Sequence, residues 1–172
     1  MTPSHVFSRP IFTMHSLHPT DTAFMQRCIA LSQAALERGD APFGSLIARG
    51  DELISEGINN KNFRVNEHAE IIALNLAAEK LGHSNLEGLT LYTSCEPCPM
   101  CSFMIREFRI QRVVFGMHSP HMGGASRWPI LTDAKLRELG PIFGEPAEVI
   151  GGVLEAEAKA VMGQTALISY FL

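Results

Sequence analysis

The stretch LTLYTSCEPCPMCSFMIREFRIQRVVFG, residues 89–116, decides how this chain folds. Leu89–Ser94 is apolar and β-prone and reads as a strand. Pro97 sets a helix start, Cys98–Phe108 reads as a helix rich in Met and Phe, and Arg112–Gly116 as a second strand. Working outward, the same alternation recurs. Upstream, a helix begins near Thr20, with Thr20 or Asp21 as its N-cap. Its apolar stripe is Phe24, Cys28, Leu31, Ala35 and Leu36, and Gly39 stops it. Phe43–Arg49 and Glu52–Ile58 are expected to pair as an antiparallel hairpin about Gly50-Asp51. Asn66 is expected to cap a helix that runs to Leu81 and closes at Gly82. Ile71, Leu74, Ala78 and Leu81 mark one face of it, and Ile72 and Leu76 make the other side apolar too, so it should be covered twice. Downstream, residues 117–146 are broken by Gly123-Gly124, Pro129, Pro141 and Pro146, with helical character only at Asp133–Leu139. Val149–Leu154 reads as a further strand, and a last helix starts near Glu155 and leads to Tyr170-Phe171-Leu172.

Strands alternating with helices after a first hairpin imply a three-layer α/β/α domain around a mixed five-stranded sheet. The connection between strands four and five is long enough for a right-handed crossover, so that pair is expected to be parallel. Residues 1–19 carry three prolines and three histidines without periodicity and read as an arm, leaving residues 20–172 as one domain. The 172 residues are 46% hydrophobic and 19% charged, a globular composition rather than a disordered one. A net charge of -4 speaks against broad nucleic-acid binding, which leaves a basic footprint. Neither a membrane-length apolar run nor a secretory leader is visible, so the expected location is the cytoplasm.

The chemistry lies in two short segments. His68-Ala69-Glu70 supplies an imidazole and a nearby carboxylate, and Pro97-Cys98-Pro99-Met100-Cys101 supplies two thiols one helical turn apart. Residues three apart on a helix share a face, so both sulfurs can reach one metal. A helix start favours thiolate, the form that binds zinc. The pattern H-x-E…P-C-x-x-C is that of zinc hydrolases that deaminate nucleobases. His68, Cys98 and Cys101 leave the fourth position of a tetrahedral Zn2+ open, as catalysis requires. Glu70, two residues from His68, does not face the same metal and reads instead as the proton shuttle. Other uses of these cysteines lack parts: no second C-x-x-C completes a zinc ribbon, and no further cysteine after Cys95, Cys98 and Cys101 completes an iron–sulfur run. Cys28 stands alone on a helical stripe and reads as core.

The stretches APFGSLIA (41–48), GINN (57–60), NEHAEIIAL (66–74), LYTSCEPCPMC (91–101) and RVVFG (112–116) resemble the cytidine deaminase-like superfamily, most of all the branch of bacterial guanine deaminases and tRNA adenosine deaminases. The resemblance implies one zinc per chain on His68, Cys98 and Cys101, and Glu70 as proton shuttle. It also implies Asn59 as a partner for the base edge, although Asn59 also fits an ordinary turn. Ala69 would offer its backbone N–H to the substrate. Phe43 reads as either pocket wall or core.

The substrate is written less plainly. Segment 155–172 holds Lys159 against Glu155 and Glu157, which speaks against gripping an RNA backbone. Arg106, Arg109 and Arg112 cluster near the end of the third helix, where cations are favoured without any ligand. MHSPHMGGASRWPI (117–130) departs from the family pattern. Trp128, the only tryptophan, could stack on a heterocycle or simply anchor this loop. The expected function is hydrolytic deamination of a small aminated purine or related heterocycle, with tRNA wobble-adenosine deamination as the alternative and a non-catalytic zinc subunit as a third. The apolar second helix and C-terminus suggest a homodimer.

Overall fold

A tight hairpin starts the sheet, in a computed structural model that describes residues 17–170. Strands β1 (Gly44–Arg49) and β2 (Glu52–Ile58) run antiparallel through the Gly50-Asp51 turn, where Gly50 takes φ +60. Glycine adopts this left-handed backbone without the clash a Cβ would create. β1 also pairs antiparallel with β3 (Thr90–Cys95); β3 runs parallel to β4 (Arg112–Met117), and β4 to β5 (Glu148–Ile150). The sheet order is β2-β1-β3-β4-β5, so the parallel pairing of strands four and five holds. β5 is shorter than Val149–Leu154. Gly152 (φ +84) and Leu154 (φ +54) turn the chain, which stays tied to β4 through Val153 N–H to Phe115 O (3.2 Å).

The strands alternate between two apolar layers, which is why both faces are covered. Leu46, Ala48, Tyr92 and Val114 pack with Met25 and Cys28 of α1 (Asp21–Glu37). Ile47, Leu91 and Val113 pack on the opposite face with Ala73, Leu74 and Ala77 of α2 (Ala69–Leu81) and Ile105 of α3 (Pro99–Glu107). α4 (Glu155–Met162) joins α1 on the first face through Ala158 and Met162. This is the expected three-layer α/β/α arrangement. The arm expected at residues 1–19 lies, up to residue 16, outside the described residues, as do Phe171 and Leu172. Among the described residues, no helix is long and apolar enough to cross a membrane.

Two helix starts differ from expectation, and both matter for the site. α2 begins at Ala69 rather than after Asn66. A compact loop consumes the preceding residues: Asn60 N–H bonds to Glu67 O (2.9 Å), Asn60 Nδ2 to Glu67 Oε2 (2.5 Å), and Arg64 pairs with Glu67 Oε1 (2.6 Å). α3 begins at Pro99, the proline with φ suited to a first turn, and not at Pro97. His68 and Cys98 are therefore N-cap residues with extended backbone (ψ 151 and 169).

The irregular segment after β4 is anchored by Arg106, which is wholly buried. Its guanidinium donates to the carbonyls of Ile130 (2.7 Å), Asp133 (3.0 Å) and Gly144 (2.8 Å). Asp133 caps a 3-10 turn over Ala134–Leu139 by accepting from Lys135 N–H, so the expected helical stretch is a tighter helix.

Asp21 is no exposed cap. It is fully buried and accepts two bonds from Arg112 (2.8 Å each), one from Tyr92 Oη (2.8 Å) and one from His18 N–H (2.7 Å), tying α1 to β3 and β4. Burial opposes ionisation of Asp21, but these donors together hold its carboxyl below the usual range, while burial and Asp21 push Tyr92 up to about 12. Removing one partner of a buried pair leaves an uncompensated charge and costs about 3–5 kcal/mol. Asp21→Asn is expected to destabilise the protein by that order in urea unfolding. A depressed folded-state pKa stabilises above the unfolded value of 3.8 and is lost as pH falls through the folded value, so acidification from pH 5 to 3 should erode the difference between wild type and Asp21→Asn.

Candidate metal centre and pocket

The carboxyl ends of β2, β3 and β4 open at one edge of the sheet, where ligands of α/β folds gather. β2 runs out into Asn59 and the loop that ends at His68, and β3 runs out into Glu96-Pro97-Cys98. α2 seats His68 by lying hard on β2. A Cβ on Gly57 would stand 2.0 Å from Ala69 O and 2.8 Å from Ala73 N, so only glycine permits this approach.

The three expected ligands meet. His68 Nδ1 lies 3.6 Å from Cys98 Sγ and 3.5 Å from Cys101 Sγ, and the two sulfurs are 3.6 Å apart. Tetrahedral zinc, with bonds of about 2.3 Å to sulfur and about 2.05 Å to nitrogen, spaces two sulfurs by roughly 3.8 Å and sulfur from nitrogen by roughly 3.6 Å. The donor set and its spacing fit Zn2+ with one coordination position left over. Among the described residues it is the one His/Cys/Asp/Glu group that could hold a metal ion. The contact with Cys101 brings the Cys98 thiol down to about 4, and the contact with His68 acts in the same direction against burial. Cys101 is pushed up by its contact with Cys98 and by burial, and His68 is raised by its bond to Cys98.

Glu70 stands next to this set. It is 5% exposed, accepts from Thr93 Oγ1 (3.2 Å), and has Oε2 3.6 Å from Cys101 Sγ. Burial, and after it the negative Cys98, push its carboxyl upward, the direction that lets a carboxyl both take and give a proton near neutrality. His68, Glu70 and Cys98 line a cavity of about 160 Å³ together with Phe43, Ser119 and Met122.

The other expected residues fall in different places. Ala69 is buried and opens α2, so its N–H is among those a helix leaves without an intrahelical acceptor. Asn59 is 1% exposed, donates from Nδ2 to Asp40 (2.7 Å) and leaves Oδ1 without a partner among the described residues. Trp128 is 49% exposed with the Arg127 guanidinium 5.4 Å from its ring centre, and it is not among the cavity-lining residues. Arg106 and Arg112 are spent inside the molecule, on carbonyls and on Asp21, and Arg109 bonds Pro141 O at the surface. Glu96 and Ser119 were not legible as site residues. Their one signal was the Gly123-Gly124 doublet, since paired glycines mark a close approach, here onto the Glu96 carboxyl.

Fold and site together define a zinc-dependent aminohydrolase. Residues 18–117 match the cytidine and deoxycytidylate deaminase zinc-binding region, and the chain belongs to that family. A tRNA-specific adenosine deaminase of Bacillus subtilis is 33% identical over 144 residues, covering 83% of this chain and 86% of the relative. A structure from a study of A-to-I editing by tRNA:A34 deaminases superposes with a TM-score of 0.69 at 28% identity, over 81% of this chain and 99% of that one. The guanine deaminase of Bacillus subtilis superposes with a TM-score of 0.54 at 35% identity, over 56% of this chain and 64% of that one.

Metal analysis by atomic absorption should find one zinc per chain, lost in His68→Ala and Cys101→Ala. Gly57→Ala, which touches no ligand, is expected to lower both zinc content and stability, the latter by about 1–3 kcal/mol or more from overpacking.

Proposed function

We propose that the protein hydrolytically deaminates a small aminated purine or related heterocycle taken as the free base. The observation that carries this reading is the buried Glu70 carboxyl beside the His68–Cys98–Cys101 set, on the wall of a cavity of about 160 Å³. An engineered apolar cavity of about 150 Å³ holds benzene, so this space suits a single heterocyclic base. Zinc on the three ligands supplies Lewis acidity, which makes a water nucleophilic near neutral pH. The remaining work falls to the chain. Glu70, oriented by the Thr93 hydroxyl, takes a proton from the attacking water and delivers it to the ring nitrogen next to the carbon under attack. It passes the second proton to the departing amine, so that C–NH2 and water become C=O and ammonia. Phe43 forms a wall, Ala69 N–H donates to the substrate, and the free Asn59 Oδ1 accepts from its edge. Trp128, at the surface on the loop after β4, is left to a contact outside the cavity.

The free-base reading is further supported by the small number of cations on the cavity wall: Lys61 is the one Lys or Arg among the lining residues, where gripping an RNA backbone calls for several. Glu155 of α4 is engaged by Lys159 (2.9 Å) and His118 (3.3 Å), and Arg106 of α3 and Arg112 of β4 are engaged internally. A second reading, deamination of the wobble adenosine of tRNA, is favoured by the 33% identity to the Bacillus subtilis enzyme. Ammonia release from guanine, adenine and cytosine, set against inosine formation in an anticodon stem-loop RNA, separates the two; turnover of the RNA alone overturns the free-base reading. On whichever substrate is turned over, Glu70→Ala is expected to lower the rate by about 10²–10⁴ while zinc stays bound, and an unchanged rate would sink the proton-shuttle role.

A homodimer is part of this proposal. α2 and α3 expose Leu76, Met100 and Phe103, each about two-fifths accessible, on helices that pack against each other. Light scattering should give twice the chain mass of 18.9 kDa; a monomer would leave that apolar surface to another partner.

A further inference from the structure

We propose that Ser119 is a specificity-determining residue whose hydroxyl reads the edge of the heterocycle on the β4 side of the pocket, and that Glu96 is the residue that positions it. The inference rests on the proposed deamination of a free base. Ser119 is 1% exposed, it lines the cavity with His68 and Glu70, and its Oγ has no hydrogen-bond partner among the described residues. Buried hydroxyls are almost always partnered, so an orphan facing a cavity marks a place where a ligand completes the bonding.

The backbone around Ser119 is fully occupied, which leaves that hydroxyl as the free group. Its N–H donates to Glu96 Oε2 (3.0 Å) and its carbonyl accepts from Gly123 N–H (2.8 Å). The same Glu96 carboxyl, 3% exposed, accepts from Ala125 N–H (3.1 Å), Ser126 N–H (2.7 Å) and Ser126 Oγ (2.9 Å). Gly123 lies so close that a Cβ there would stand 2.4 Å from the carboxyl oxygens. The loop after β4 is thus wrapped around one carboxylate, with Ser119 on the cavity wall.

Sheet order gives the reading its direction. Asn59 follows β2 and Ser119 follows β4, with β1 and β3 between them. At about 4.8 Å per strand the two flanks are roughly 14 Å apart, so the Ser119 hydroxyl meets a bound base from the β4 side, away from β2. With the Glu96 oxygens engaged by the loop, the β4 flank presents a neutral group that both donates and accepts. The matching ligand is an uncharged base with a ring nitrogen, oxo or amino group at that edge.

The test uses zinc-loaded protein and three probes, guanine, 7-deazaguanine and 9-deazaguanine, titrated calorimetrically alongside an ammonia assay. In wild type, guanine should bind about tenfold more tightly than one of the two deaza analogues. Ser119→Ala should lose about that factor on guanine, close the gap to that analogue, and melt no lower than wild type because the variant removes an unpartnered buried hydroxyl. Unchanged guanine binding, a parallel loss on all three probes, or a lowered melting temperature would each overturn the proposal. Ser119-dependent binding without ammonia release would overturn the deaminase reading alone. Ammonia release with Ser119-independent binding would overturn the edge reading alone, and no binding of any probe by wild type would overturn both.

Discussion

The first turn of α2 lies against β2 with no room for a methyl group between Gly57 and the Ala69 carbonyl, and the site follows from that contact. It fixes the height at which His68 leaves the loop and at which Glu70 enters the interior. The second half of the site comes from the same sheet edge by a different route, as β3 passes through Glu96 and Pro97 into the N-cap of α3. Two helix starts converge on one point, and each contributes a ligand from its N-cap residue. The positive ends of both helix dipoles therefore face the ligand set, which favours the thiolate form that a metal requires.

Much of this was legible in the residues because it is local. The Gly50-Asp51 turn, the alternation along β1 and β3, and the C-x-x-C spacing each express a relation among a few neighbouring residues, and the three layers and parallel β4–β5 pair follow from their order. The helix starts were misread for a reason that is also local but hidden in side chains. The Asn60–Glu67 and Arg64–Glu67 contacts close a compact loop where Asn66 looked like a cap, and Pro99 rather than Pro97 took the first helical position.

What the residues did not disclose is long-range. Asp21 and Arg112 are 91 positions apart, and nothing near either predicts that an acidic residue at a helix start will be wholly buried beneath an arginine. Arg106 looked like a cation at a helix end and instead gathers carbonyls from an irregular segment with no periodicity of its own. Glu96 sat between two residues of obvious meaning, Cys95 and Pro97, and took its role only when the loop some thirty positions later folded onto it.

The Glu96 carboxylate holds that loop mainly by its backbone amides, from Ser119, Ala125 and Ser126. An anchor on amides is indifferent to most side chains along the stretch it holds. The path of the loop over the cavity can therefore be inherited unchanged while the groups it turns inward are exchanged one at a time. A family built this way can move among substrates without rebuilding its metal site, since the residues that hold the metal and those of the loop after β4 belong to separately secured pieces of chain.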